Sequence, residues 1–197
     1  MLRASLNWRK MSKTLEIVFD CCVVSNFALS GSLPLLKRLY GGSAFITDFV
    51  SAEIWRGVQS GHAGLAGIQE ALRLGWLKEI SLSRTEEKAL FQSLSVSLGL
   101  GEASSIALAK ARRLLFACDD RSARREAGLL GVKLTGTIGI LRKAVRKRAI
   151  SLKEGDSILA EMIAHGFHLP VRSIKETRKT RTVLFLSVKF WPCIPIP

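Results

Sequence analysis

Short apolar runs alternate with helical stretches along this chain, and that alternation predicts an α/β domain on a mainly parallel sheet. Two observations carry the prediction. The runs, such as Ile17-Val18-Phe19 and Leu114-Leu115-Phe116-Ala117-Cys118, are too short for helices and are rich in apolar strand formers. The stretches between them space their apolar residues helically over roughly ten to fifteen residues, enough for a crossover between parallel strands.

The elements follow in order. Leu15–Phe19 reads as a buried strand ending at Asp20, followed by helical runs at Val23–Leu29 and Leu33–Tyr40 on either side of Ser30-Gly31-Ser32. Ala44–Thr47 is the second strand, with Asp48 the expected N-cap of a helix from Phe49 to about Val58. Ala63–Leu74 is helical, Trp76–Ile80 a strand, and Ser83–Leu98 a helix with Glu86 and Glu87 in its first turn, where the macrodipole favours acids. Gly99 and Gly101 punctuate the chain before Glu102 opens the helix Ala103–Arg113. Leu114–Cys118 is a strand, Asp119-Asp120 lead into the helix Arg121–Leu130, and Gly131 stops it. Val132–Thr135 is a short strand; Ile138–Ala149 and Leu152–His165 complete the helices.

Composition bounds the function. A length of 197 residues fits one domain, and 48% hydrophobic against 23% charged residues excludes a disordered chain. The net charge of +14 points to polyanionic partners. Eight of the 30 basic residues lie in the acid-free ends 1–13 and 177–197, which leaves +6 over 14–176. The expected organisation is a basic N-terminal extension (1–13), a domain (14–176) and a basic, apolar tail (177–197). Cys21, Cys22, Cys118 and Cys193 form no C-x-x-C pair, and the histidines lack zinc-finger spacing, so small reduced thiols are expected. Asp20 interrupts the apolar stretch Leu15–Val24, and Lys189 with three prolines breaks the tail; neither a secretory signal nor a membrane span is expected. The chain reads as cytoplasmic. It contains neither a P-loop nor G-x-G-x-x-G, which removes most support for nucleotide folds.

Ligands of an open parallel sheet sit beyond the carboxyl ends of its strands. Asp20, Asp119 and Asp120 directly follow strands, Glu102 opens the helix feeding the second of them, and Glu53 lies one turn into the helix after Ala44–Thr47. Clustered carboxylates repel one another unless a cation neutralises them, and oxygen ligands favour Mg²⁺ or Mn²⁺ over Zn²⁺. Such a centre can activate water and stabilise charge on a phosphodiester. Each acid also has a local reading: Asp20 and one of Asp119/Asp120 as N-caps, Glu102 as a dipole partner, Glu53 as a solvated residue.

Four blocks carry a resemblance: Ile17-Val18-Phe19-Asp20; Val50-x-x-Glu53; Leu98-Gly-Leu-Gly-Glu102-Ala103 with Ile106-Ala-Leu-Ala109; and Cys118-Asp119-Asp120-x-x-Ala123-Arg124. With the continuation Thr135-Gly136-Thr137-Ile138-Gly139-Ile140-Leu141, they resemble the PIN domain superfamily, most closely its branch of predicted nucleic-acid-binding proteins. The resemblance covers about residues 14–176. It implies a PIN-like three-layer α/β fold, with a central mainly parallel sheet flanked by helices. It implies a Mg²⁺- or Mn²⁺-dependent ribonuclease, plausibly the toxin of a type II toxin–antitoxin pair, with an antitoxin partner and a homodimer. Carried over by residue, the catalytic acids are Asp20, Glu53, Glu102 and Asp119 or Asp120, with Asp20, Glu102, Asp119 and Asp120 as metal ligands. Cys22 stands where many relatives have Asn, Thr or Ser, and Thr47 where a proline is frequent. Thr135 and Thr137 are supporting residues that orient water or phosphate, although a cap of the following helix is the slightly favoured role for Thr137.

Arg142, Lys143, Arg146 and Lys147 cover two adjacent helical ridges, a surface that suits an RNA backbone or equally a solvated face. Arg124 is the best candidate in its segment to pair with an acid or touch phosphate. Met11 is a candidate alternative initiator, and Val183–Trp191 reads as a sticky strand or as the product of a shifted frame. Intact acids favour the endoribonuclease; Cys22 and the tail favour a catalytically weak module that binds RNA or a partner protein. No membrane partner is expected.

Overall fold

A computed structural model describes residues 15–169 and 173–176. The expected segments 1–13 and 177–197, with Met11, Cys193 and the Val183–Trp191 strand, lie outside these residues.

Five parallel strands form the sheet: β1 (Ile17–Phe19), β2 (Ala44–Thr47), β3 (Leu77–Ile80), β4 (Leu115–Ala117) and β5 (Leu134–Thr135), in the order β3-β2-β1-β4-β5. Register aligns Ile17 with Ala44 on one side and Leu115 on the other. Alternate residues face opposite layers, as the pleat requires. Ile17 and Phe19 join a core with α1 (Cys21–Leu29), α2 (Leu33–Tyr40), α4 (Ala66–Arg73), α8 (Thr137–Arg146) and α9 (Leu152–Ala164). Val18, Phe116 and Cys118 join a second core against α5 (Thr85–Leu94), α6 (Leu100–Arg112) and α7 (Arg121–Leu129). The three-layer α/β expectation holds, with an all-parallel sheet. Between the layers, α3 (Asp48–Gln59) buries Val50 and Ile54 in the first core, while its Phe49 ring lies 4.8 Å from that of Phe91 on α5.

Local chemistry corrects several boundaries. The α3 cap is Thr47, whose hydroxyl accepts from the Val50 N–H at 3.2 Å; Asp48 is already helical. Ala63–Leu65 is a 3₁₀ turn before α4. The run Ser83–Leu98 is helical only over Thr85–Leu94, because Ser95-Val96-Ser97 are weak helix formers and Gly99 caps the next helix. Gly136, not Thr137, is the N-cap of α8, and α8 ends at Arg146, with Arg148 left-handed at φ 54°.

The chain runs outward from β1 through β2 to β3, then returns to place β4 on the other side of β1. The crevice beyond the carboxyl ends of β1 and β4 is therefore the topological switch point, where open α/β sheets bind ligands.

Candidate active site

Asp20 occupies the N-cap position of α1 but makes no side-chain cap bond. Its backbone N–H donates to the Ala117 carbonyl at 2.9 Å, tying the end of β1 to β4. The carboxylate is only 4% exposed and faces two thiols instead of water. Cys22 Sγ donates to Asp20 Oδ2 at 2.8 Å and Cys118 Sγ to the same oxygen at 3.7 Å. Burial raises the Asp20 carboxyl above the ordinary range, against the lowering effect of these donors.

Asp119 and Asp120 divide their roles. Asp120 Oδ1 caps α7 by accepting from the Ala123 N–H at 2.8 Å. Asp119 is held by a network: the Thr137 hydroxyl donates to Oδ2 at 2.5 Å, the Thr137 N–H to Oδ1 at 3.0 Å, and Asn26 Nδ2 to Oδ2 at 3.5 Å. Asn26 Nδ2 also donates to the Thr137 hydroxyl at 3.1 Å. Thr137 is thus a positioning residue for Asp119, and the favoured capping role is replaced by this one. Sequence reasoning does not single out Asn26; its signal is an amide inside the apolar run Val23–Ala28.

The glutamates approach from the other side. Glu53 Oε1 accepts from the Gly101 N–H at 3.3 Å, and Glu102 Oε2 from the Gly99 N–H at 3.2 Å. A Cβ on Gly101 would stand 2.7 Å from both Glu53 oxygens, and one on Gly136 would collide with Asp119 Oδ1. The glycines of the Gly-Glu-Ala and Thr-Gly-Thr blocks therefore leave room for carboxylates. Thr47 and Ser104 share a buried hydroxyl contact of 2.8 Å, which fixes α3 against α6 and so Glu53 against Glu102.

Burial and the neighbouring Asp20 charge push Glu53 up to about 7. Burial, then Asp20 and Asp120, push Glu102 up to about 8. Burial likewise raises Asp119, partly offset by Thr137 and Arg124. Among the described residues, none of Asp20, Glu53, Glu102, Asp119 or Asp120 makes an ion pair. Asp20, Glu53, Glu102 and Asp120 come close enough for one charge to raise another's proton affinity, and carboxylate oxygens are the donors a hard divalent cation takes.

The basic candidates separate. Arg124 Nη1 donates to the carbonyls of Cys118 at 2.6 Å and Thr135 at 2.7 Å, so it clamps the ends of β4 and β5. Thr135 contributes that carbonyl, while its hydroxyl lies against Gly139. Arg142, Lys143, Arg146 and Lys147 follow Thr137 down α8, and Arg146 is about 14 Å along the helix from the site. Lys143 Nζ lies 3.9 Å from the centre of the Tyr40 ring. Ser97, Leu98, Arg121, Ser122, Arg125 and Glu126 line a groove of about 320 Å³, and Arg121 directly follows Asp120 in the chain.

A parallel sheet with a buried aspartate and half-buried acids, none in a described ion pair, at its switch point defines a class of α/β domains built around a metal-seeking carboxylate centre. The chain belongs to one family within it: residues 16–181 match the model DUF3368, described as a PIN domain, a nuclease-type fold that generally uses divalent metals. No curated protein matches the chain. Among the described residues, no helix is long and apolar enough to cross a membrane.

Proposed function

We propose that this protein is a metal-dependent endoribonuclease that cleaves RNA phosphodiester bonds, acting as the toxin of a type II toxin–antitoxin pair. One observation carries the reading. Asp20, buried at the switch point, pairs with no described cation, while Glu53 and Glu102 lie close enough to feel its charge. Asp20, Glu102, Asp119 and the free oxygen of Asp120 are the residues to hold Mg²⁺ or Mn²⁺. That cation supplies Lewis-acid activation of water and charge stabilisation at phosphorus.

The chain's own residues supply the rest. Thr137 and Asn26 fix both oxygens of Asp119, so this carboxylate is oriented before any ligand arrives. Glu53, poised at about 7 and held by Gly101, suits uptake of a proton from the attacking water at neutral pH. The exposed Arg121 and Arg125 beside the groove contact RNA phosphates close to the acids, and the α8 cations extend the path. An acidic antitoxin segment would complement the same positive surface, and homodimerisation belongs to this reading.

A catalytically weak module that binds RNA or a partner protein is the second reading. It is favoured by Cys22 and Cys118, which both direct their thiols at one Asp20 oxygen. The deciding experiment compares RNA cleavage by the protein and its Asp20→Asn variant with Mn²⁺ or Mg²⁺. Cleavage lost in the variant supports the nuclease. Equal cleavage by both, or none by either across a broad RNA panel, rejects it. A small open reading frame beside the gene whose product abolishes cleavage supports the toxin assignment.

A further inference from the structure

The tightest gathering of metal-ligating atoms among the described residues is not purely acidic. One Asp20 oxygen, Cys22 Sγ and Cys118 Sγ all lie within 4.8 Å of one another. They come from three places: the end of β1, the first turn of α1 and the end of β4. Asp20 and Cys118 are buried, and Cys22 is half-buried and packs against both cores.

Chemistry sorts these atoms from the rest of the site. Carboxylates alone suit hard cations such as Mg²⁺ and Mn²⁺, whereas two thiolates with one carboxylate suit a softer ion. Zinc takes thiolate and carboxylate ligands tetrahedrally, with Zn–S near 2.3 Å and Zn–O near 2.0 Å. Those bond lengths put the sulfurs about 3.8 Å apart and each about 3.5 Å from the oxygen. The two S···O distances here, 2.8 and 3.7 Å, bracket that second value, and the S···S limit contains the first. The S···O distances need changes of about 0.7 and 0.2 Å and the S···S distance at most about 1.0 Å, within the reach of side-chain rotation, to complete three corners of a tetrahedron.

We propose that Asp20, Cys22 and Cys118 form a binding site for a thiophilic divalent cation of the zinc type, which takes Asp20 away from the hard cation of the nuclease centre. On binding, two S–H protons leave to solvent as two metal–sulfur bonds form, with no change of oxidation state. The thiols are then the selectivity element of the site: they donate to Asp20 when no soft cation is present and ligate when one is. The competition rests on the nuclease reading, but the binding does not.

The test uses the full chain, stripped of metal by a chelator and kept reduced by a phosphine. Co²⁺ is the spectroscopic probe and Zn²⁺ the competitor. A thiolate-to-cobalt charge-transfer band should saturate at one equivalent and be bleached by Zn²⁺. It should vanish in Cys22→Ser/Cys118→Ala while surviving in Cys193→Ser. A band absent from the wild type, or retained by the double variant, overturns the proposal. Because Cys118 is wholly buried, Cys22→Ser alone provides a second, less disruptive variant, checked by circular dichroism for retained fold. It should weaken Zn²⁺ binding at least tenfold; unchanged affinity also overturns the proposal. In cleavage assays with Mn²⁺, equimolar Zn²⁺ should suppress the wild type at least tenfold more than it suppresses Cys22→Ser, each measured against its own zinc-free rate. Cleavage without a cobalt–thiolate band rejects this inference alone. A band without cleavage on any RNA rejects the nuclease reading and leaves the soft-metal site standing.

Discussion

Thr137 shows how one side chain decides what a site can do. Its hydroxyl and N–H hold both oxygens of Asp119, and Asn26 bonds to the hydroxyl and to the carboxylate. Outer contacts of this kind fix ligand direction, and their loss typically weakens metal binding by about 10- to 100-fold. Thr137→Val keeps the shape and the N–H but removes the hydroxyl donor. The expected result is a Mn²⁺ requirement raised by about tenfold or more, read from the metal dependence of RNA cleavage. Asn26→Ala should act in the same direction but less, since its 3.5 Å bond to Asp119 is the longest of the set. An unchanged metal requirement in both variants would remove the positioning role. The candidate aspartates are legible in sequence because strand ends advertise them, and the glutamates because they open or enter the helices that flank those strands. Their supporting groups are not: Asn26 reaches the site across 93 residues of sequence from Asp119. Cys118 reads as an ordinary buried thiol until β4 sets it beside β1.

Two polar contacts seat α6, which carries Glu102, against α3 and α5. The first is the Thr47–Ser104 hydroxyl pair, where Thr47 also caps α3. Thr47→Val removes the cap and leaves Ser104 without that partner. Loss of about 1–2 kcal/mol in chemical denaturation is expected, together with reduced cleavage because Glu53 and Glu102 lose their common support. The departure from the frequent proline is thus informative, since Thr47 supplies a cap hydroxyl that proline lacks. The second contact joins α5 to α6. Glu87, with a fully buried side chain, accepts from Arg112 Nε at 2.6 Å and Nη2 at 3.1 Å, and from the N–H groups of Ser83 and Arg84. Glu87→Gln should cost about 3–5 kcal/mol in the same measurement, because Arg112 is left without its counter-charge. Sequence places Glu87 in the first turn for the macrodipole, but a partner 25 residues away is set by how α5 folds back on α6. Boundaries at α5 and α8 miss for a related reason. Helical spacing persists past Leu94 and Arg146, while the turn at Ser95–Ser97 and the left-handed Arg148 end the helices.

At the scale of the whole molecule, a strongly basic chain encloses a small acidic centre, and stability trades against that centre with pH. Glu53 and Glu102 rise from an ordinary 4.5 to about 7 and about 8, through burial and then the neighbouring carboxylates. Unfolded, both ionise near 4.5; folded, they keep their protons to higher pH. Between those values the native state binds more protons than the unfolded state, so stability must fall as pH rises. Glu87 works in the opposite sense. Its pairing with Arg112 lowers it to about 2, so its contribution, about 3 kcal/mol at neutral pH, is lost as pH falls from 4.5 toward 2. Metal-free protein should therefore show its highest Tm near pH 5, with a decline toward pH 8 and another toward acid. Glu102→Gln should flatten the alkaline decline and leave the metal-free variant more stable than the wild type at pH 8. A divalent cation that binds only the folded, ionised site should raise Tm most at pH 8 and little at pH 5. Calorimetric scans with and without Mn²⁺ across this range check all three. A metal-free Tm that climbs steadily from pH 5 to 8, or a cation effect that shrinks over the same interval, would mean that the acids are not held in a desolvated, like-charged cluster. Since such a cluster is why the site seeks a cation, that result would count against the nuclease centre as well as the stability curve.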